Sequence, residues 1–418
     1  MSKTTFYHSA DPIIVRTRSG SKATLPDLCK SVTPACHLNP LLFNGHLQTS
    51  WTAVNSTDIP VYYKRKIFTA ENDACHGTFA VDFVVDEYQE TKERMLLPRT
   101  CCFSDEELKE LELGSLDDEP MLVALHGLSG GSHEIYIRHV IAPMVNKERG
   151  WKACVVNARG CAMSKITSPV LFNARATWDI RQVVKWLRKL YPNRSLFAIG
   201  FSLGANILTN YLGEEGSNCI LKGAVVCSNP WNLEVSSLAL QRSWLGLGVY
   251  SKVMASNMKR LFEIHIEEIS KNPQIDVDKV RGVRYLHEFD RSALAAIPAL
   301  RTKGAYPVIN EIRVVQCPSW GYPTEGAYYR DASSSDSVLA VRVPLFVLNA
   351  EDDPIAAREA IPFEEIKQNP YVVLCASRGG GHIGWFEFGG GRWFAKPDSF
   401  AGNWILDKDG RISEPWPD

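Results

Sequence analysis

From Pro120 onward the chain repeats one pattern of apolar and polar positions. Short apolar runs rich in β-branched residues, MLVALHG, WKACVVNARG, SLFAIGFS, LKGAVVCSNP, PLFVLNAEDD and YVVLCASRGGGH, each stop at a small or polar residue. Between them lie segments such as ATWDIRQVVKWLRKLYP and LGANILTNYLGEE, whose apolar residues recur three and four apart and predict helices. Continuous apolar runs mark strands buried on both faces, and their alternation with helices predicts a mostly parallel sheet in an α/β fold. Right-handed crossovers bring the carboxyl ends of such strands to one edge, where sites form.

Upstream, GTFAVDFVVDE alternates and then runs apolar, which predicts a strand over Thr78–Val85. Residues 86–119 are acid-rich, with a helical period in SDEELKELEL opened by a Ser or Asp cap, and read as a surface excursion. The span from Trp231 to Val341 is helical and polar, then loop-like, and separates two core strands, as an inserted cap does. The expected organisation is an N-terminal arm over 1–60 and the first part of a core over 61–230. A cap over 231–341 and the rest of the core with a C-terminal tail over 342–418 complete it.

Composition narrows the function classes. The 418 residues are 45% hydrophobic and 22% charged, which excludes a disordered chain. Lys and Arg number 46 against 47 Asp and Glu, so no net cationic field exists to hold nucleic acid. No run approaches the roughly 18 apolar residues of a spanning helix, and the N-terminus lacks a signal-peptide apolar region. A soluble, cytoplasmic protein is expected. The 11 cysteines sit mostly in apolar runs without C-x-x-C spacing, as reduced core residues do.

Against this background one motif carries chemistry. Gly200-Phe201-Ser202-Leu203-Gly204 is a G-x-S-x-G sequence between a predicted strand and a predicted helix, the context of a nucleophile elbow. A plainer reading makes Ser202 a helix N-cap between turn glycines. A serine hydroxyl needs a base, and the base needs an orienting carboxylate. Downstream, a strand ends in Ala350-Glu351-Asp352-Asp353-Pro354 and the next ends in Gly379-Gly380-Gly381-His382. Ser202, Asp353 and His382 thus stand in the chain order of α/β-hydrolases. The three glycines read as a mobile loop that aims the imidazole. Asp353 is favoured as the acid, with Asp352 as the alternative if Asp353 caps a helix over PIAAREAI. The oxyanion donors are assigned to the N–H of Leu203 and the N–H of Leu128 in His126-Gly127-Leu128-Ser129-Gly130-Gly131.

His126, His133 and His139 do not share a helix face, so no metal site is assigned, and no organic cofactor is expected. Arg159 reads as a packing residue at the pocket edge. Asp179/Arg181 and Asp290/Arg291 read as structural ion pairs.

With these residues in hand, the chain resembles the α/β-hydrolases that include yeast medium-chain fatty acid ethyl ester synthases and mammalian phospholipid-acting members. The shared features are LNPLLFNGHLQT, GTFAVDF, HGLSGGSHEIYIR, VVNARGCAMSKITSP, GFSLGANIL, FDR, YYRDASS, VPLFVLNAEDDP and GGGHIGWFE. The resemblance implies the same triad and a medium-chain acyl ester or acyl-CoA substrate, with water or an alcohol as acceptor. It suggests an acyl pocket lined by the segment from Trp231 to Tyr250. The H-x-x-x-x-D signature of glycerolipid acyltransferases is not met, because Glu387 stands five residues after His382. Acyl transfer is therefore expected to use the serine. Membrane anchoring, a feature of mammalian members, does not carry over, while peripheral contact with a membrane or lipid droplet stays open. A phospholipase and a non-catalytic binding protein are the alternatives. Ser292 to Ser319 is longer than expected and reads as an elaboration of the cap.

Overall fold

Six uninterrupted apolar runs can only be satisfied by a sheet covered on both faces, and they form its parallel centre. The computed structural model describes residues 3–16, 22–55, 57–71, 75–89, 96–169, 171–273, 275–291, 322, 324–388 and 391–393. Among these the main sheet has ten strands. They are β1 (Thr4–His8), β2 (Tyr62–Thr69), β3 (Thr78–Val85), β4 (Thr100–Cys102), β5 (Met121–Leu125), β6 (Lys152–Asn157), β7 (Leu196–Phe201), β8 (Gly223–Cys227), β9 (Leu345–Ala350) and β10 (Val372–Ser377). Their order is β1-β10-β9-β8-β7-β5-β6-β3-β2-β4. Strands β5 to β10 are mutually parallel where they pair, whereas β1 and β3 pair antiparallel with β10 and β6. This is the alpha/beta hydrolase fold.

The helices used below are α1 (Gly45–Val54), α2 (Asp105–Leu113), α3 (Ile135–Met144), α4 (Trp178–Leu190), α5 (Leu203–Glu215), α6 (Leu233–Arg242), α7 (Lys252–Ile264) and α8 (Glu325–Ala332). On α4 the buried Ile180, Val183, Val184 and Leu187 keep the three-and-four spacing read from the sequence. Helix α2 begins with a capping box between Ser104 and Glu107. Helix α5 is buried from Gly204 to Leu212, and its polar residues are spent internally. Asn206 and Asn210 both donate to the Ala332 carbonyl at the end of α8, at 2.7 and 2.9 Å. The segment between β8 and β9, in its described parts, consists of helices and turns, including α6, α7 and α8.

Several particulars differ from the sequence reading. The N-terminal arm does more than pack on the domain, because β1 extends the sheet at its edge. The acid-rich excursion contributes β4 at the opposite edge. Neither expected ion pair forms. Residues two apart on a helix point to different faces, and adjacent residues do not face each other. Asp179 instead takes Arg159 at 2.8 Å, Arg181 takes Glu214 and Glu215, Asp290 accepts the Tyr329 hydroxyl, and Arg291 takes Glu325. Arg159 is buried and also donates to the His76 carbonyl. Cys154, Cys161, Cys227 and Cys375 are buried thiols whose pKa burial pushes up. The Ser292 to Ser319 stretch lies outside the described residues. No helix among the described residues is long and apolar enough to cross a membrane.

Candidate active site

Strand β7 ends at Phe201 and α5 begins at Leu203, so a single residue turns the chain. That residue, Ser202, sits at φ 52° and ψ −118°, a strained conformation for a residue with a Cβ. Two close approaches enforce the turn. A Cβ on Gly200 would fall 2.5 Å from the Gly204 carbonyl oxygen, and one on Gly204 would fall 2.5 Å from that of His126. The Ser202 side chain does not cap α5. Its hydroxyl instead lies 2.8 Å from Nε2 of His382.

His382 and Asp353 come to Ser202 from the ends of neighbouring strands. His382 Nδ1 lies 2.8 Å from Asp353 Oδ2 and 3.1 Å from Oδ1, so Nδ1 carries the proton and Nε2 is left to accept from the serine. The carboxylate is buried, and Oδ1 also accepts the N–H groups of Ile355 and Ala356 at 2.8 Å. The two roles that the sequence set against each other, orienting the histidine and capping the next segment, thus fall to one side chain. PIAAREAI itself forms only a single three-residue 3₁₀ turn at Arg358–Ala360 rather than an α-helix, although its Ala, Arg and Glu favour one. Asp352 turns the other way and accepts the Gly381 N–H at 3.1 Å. Burial, together with the Asp353 charge, pushes its carboxyl up against the pull of that N–H.

The glycines before His382 serve close packing rather than mobility. At Gly381, with φ +61°, a Cβ would meet the Gly45 carbonyl at 2.4 Å, and at Gly380 one would meet the Trp385 indole at 2.2 Å. The loop is tied on three sides. The His382 N–H donates to Thr49 Oγ1 at 2.8 Å, and the Ile383 N–H donates to Ser228 Oγ at 3.0 Å. The Phe386 N–H donates to Gln48 Oε1 at 2.8 Å. Thr49 and the fully buried Gln48 belong to α1, whose NGHLQT sequence was read only as a family feature. These positioning residues were missed. The signal for them was an amide inside an otherwise apolar motif.

The loop after β5 is held just as firmly. Gly127 packs within 3.4 Å of Ser202 Cβ, measured to the position a Cβ would take, and its N–H donates to the Tyr136 hydroxyl at 2.9 Å. His126 Nε2 accepts the Ala158 N–H, so its Nδ1–H donates to the Gly127 carbonyl. Burial lowers its pKa to about 4 and keeps the ring neutral. Below the loop, buried Asp82 accepts from Arg65, Ser132 and Asn157. His139, in turn, is a partner of Arg392 at 2.8 Å. Leu128 and Leu203 both flank Ser202 on the wall of one cleft.

That cleft has a volume of about 780 Å³ with its open mouth included, and it runs from Ser202 beneath α6, α7 and α8. Its apolar wall includes Phe172, Leu233, Leu240, Met254 and Met258. The segment expected to line it does so only in part. Leu233 and Leu240 face the cleft, whereas Trp231 is fully buried with its indole N–H on Asn349 and Trp244 is 81% exposed.

Comparison with known proteins points to the same fold. The family model described as alpha/beta hydrolase fold matches residues 120–387. A monoacylglycerol lipase of Saccharomyces cerevisiae is 34% identical over 409 residues, 91% of this chain and 84% of that protein. Medium-chain fatty acid ethyl ester synthase/esterase 2 of the same yeast is 30% identical, over 86% of this chain and 83% of its own length. Phospholipase ABHD3 of Homo sapiens is 27% identical over 87% of this chain and 76% of that protein.

Proposed function

The chain belongs to the alpha/beta hydrolase fold family, and on that basis we propose that it is a serine-dependent carboxylic ester hydrolase and/or alcohol O-acyltransferase acting on medium-chain acyl esters or acyl-CoA. One observation carries this reading: Ser202 Oγ stands 2.8 Å from His382 Nε2, and His382 Nδ1 stands 2.8 Å from Asp353. Ser202 Oγ attacks the acyl carbonyl while its proton passes to Nε2. Asp353 keeps the reactive tautomer and stabilises the imidazolium that forms.

The N–H groups of Leu203 and Leu128 receive the oxyanion. Leu203 is the first residue of α5, so its N–H has no acceptor within the helix and is free to turn to a ligand. His382 then hands the proton to the departing alcohol or thiol, and the acyl group remains on Ser202. Water or an alcohol, deprotonated by the same imidazole, releases it and regenerates the hydroxyl. These steps call for no metal and no organic cofactor.

The apolar cleft supports an acyl chain as the part of the substrate bound beside Ser202. The names of the two yeast relatives support fatty acid esters as the class. The helices between β8 and β9 act as a cap over the cleft. Phe43 and Trp244, 77% and 81% exposed, support peripheral contact with a lipid surface. The triad does not distinguish water from alcohol, so transfer depends on how well the cleft excludes water and holds an alkyl group. With octanoyl-CoA and rising ethanol, the ratio of ethyl octanoate to octanoate rises. A ratio that stays at zero removes the transferase and leaves an esterase or thioesterase.

A further inference from the structure

A buried charge is stable when an opposite charge or a full set of hydrogen bonds is buried with it. Arg138, in the first turn of α3, is only 9% exposed and has neither. Its Nε has no hydrogen-bond acceptor. Among the described residues the neighbouring carboxylates are held elsewhere. Asp82 is taken by Arg65 and Asp58 by Arg99, while Glu134 stands 3.9 Å from His133. Two hydroxyls on the facing sheet are orphaned as well. Tyr63 on β2 and Thr100 on β4 are register partners, so their side chains leave the same face. Tyr63 is fully buried in the apolar cluster that holds Ile137 and Ile141 of α3, and Thr100 is 8% exposed. Neither hydroxyl has a hydrogen-bond partner among the described residues.

Charge is out of balance here too. Around α3 the buried guanidiniums are Arg65, Arg138 and Arg392, against the carboxylates of buried Asp82 and half-buried Glu134. Burial raises the Glu134 carboxyl, which only adds to the positive excess. His133 and His139 do not offset it, since burial and then the nearby arginines lower their pKa and keep them neutral. Burial likewise raises the Tyr63 phenol and the Arg138 charge opposes that rise, so the two groups lie within one another's field. What gathers between α3 and the sheet is a spare positive charge with unsatisfied N–H and O–H donors, the complement of an anion.

We propose that Arg138, Tyr63 and Thr100 form a binding site for a small inorganic anion of halide size, seated between α3 and strands β2 and β4. The anion accepts from the guanidinium and the two hydroxyls, and its charge cancels the excess. Tyr63 is fully buried and Arg138 nearly so, which fits a single-atom ion better than an organic acid. The Arg138 N–H donates to the Glu134 carbonyl, at the junction of α3 with the loop after β5. Occupancy therefore steadies the helix on which that loop ends. The site is separate from Ser202 and does not rest on the serine hydrolase reading.

The test is thermal unfolding of the full chain in gluconate buffer at constant ionic strength, with chloride or bromide replacing gluconate up to about 0.2 M. An anion that binds only the folded state raises the midpoint by mass action. Wild-type protein is expected to gain at least about 2 °C, and Arg138→Gln to gain nothing. Tyr63→Phe keeps the ring and loses one donor, so it needs a several-fold higher halide concentration for the same gain, and the outcome does not hang on the folding of the Gln variant. Wild-type crystals grown in bromide are expected to show an anomalous scattering peak within hydrogen-bond distance of the Arg138 guanidinium and the Tyr63 hydroxyl. No gain in wild type, or an equal gain in wild type and both variants, overturns the site. So does water in place of bromide at that position, since solvent then satisfies the orphaned donors. A gain with phosphate and none with either halide contradicts the size of the ion and overturns the proposal as well.

Discussion

Asp352 and Asp353 are neighbours in sequence with opposite duties, and the difference lies in where each carboxylate points. Asp353 meets the imidazole N–H, and an amide in its place presents either an NH₂ to that N–H or a weaker oxygen. Asp353→Asn is therefore expected to lower kcat on the order of 10³- to 10⁴-fold, as loss of the orienting acid does in serine triads. Asp352→Asn keeps the oxygen that accepts from Gly381 and is expected to cost less than tenfold. Measuring kcat with p-nitrophenyl octanoate ranks the two, and the reverse order moves the acid by one residue.

Asp290 gives a second test from a single side chain, through stability alone. Its carboxyl, raised by burial from 3.8 to about 7, takes up a proton on folding between those values. The folded chain then binds more protons than the unfolded one, so stability falls as pH rises through that window. Replacement by the neutral, isosteric amide removes this pH dependence, which amounts to about 1.4 kcal/mol for each tenfold change in proton affinity. Thermal unfolding of Asp290→Asn is expected to gain on wild type from pH 5 to pH 8. An equal offset at both values means that the carboxyl is already ionised in the fold at pH 5.

Among the elements, α1 acts on the site from outside the sheet. It contributes nothing to the sheet, yet Gly45, Gln48 and Thr49 clamp the turn that carries His382. Thr49→Val preserves shape and removes the oxygen that accepts the His382 N–H. The unpaired N–H costs about 1–3 kcal/mol, and the imidazole loses its fixed aim. We expect kcat to fall at least tenfold with little change in KM, together with slower fluorophosphonate labelling. An unchanged labelling rate means that the other ties hold the loop without Thr49.

The sequence was silent on this clamp because its bonds run from side chains to a main chain more than 300 residues away, which periodicity does not register. The same limit hid the outer strands β1 and β2. In β2 the buried positions include Arg65, 3% exposed and paired with Asp82, while Ile67 is 49% exposed, so the usual alternation is inverted. Strand β1, TTFYH, is half-buried throughout and has no contrast to read.

Across the molecule, legibility follows burial. The six central strands announced themselves as unbroken apolar runs because both of their faces are covered, and the strand order then fixed the edge at which Ser202, Asp353 and His382 meet. Pairing of Leu125 with Gly200 and of Phe201 with Cys227 sets the register that brings the loop after β5 beside Ser202. The cleft was less legible, because the helices that roof it are amphipathic on both sides, one face to the cleft and one to solvent. Composition could not say that Leu240 turns in while Trp244 turns out.

Everything proposed for the site requires that Ser202 carry the acyl group during turnover. This is read directly by mass spectrometry of peptides from enzyme quenched while turning over p-nitrophenyl octanoate. An octanoyl group on the peptide holding Ser202, absent from Ser202→Ala enzyme that has also lost all but a few per cent of its turnover, is the expected result. Turnover that survives in Ser202→Ala, or an octanoyl group on another residue such as Cys161, contradicts it.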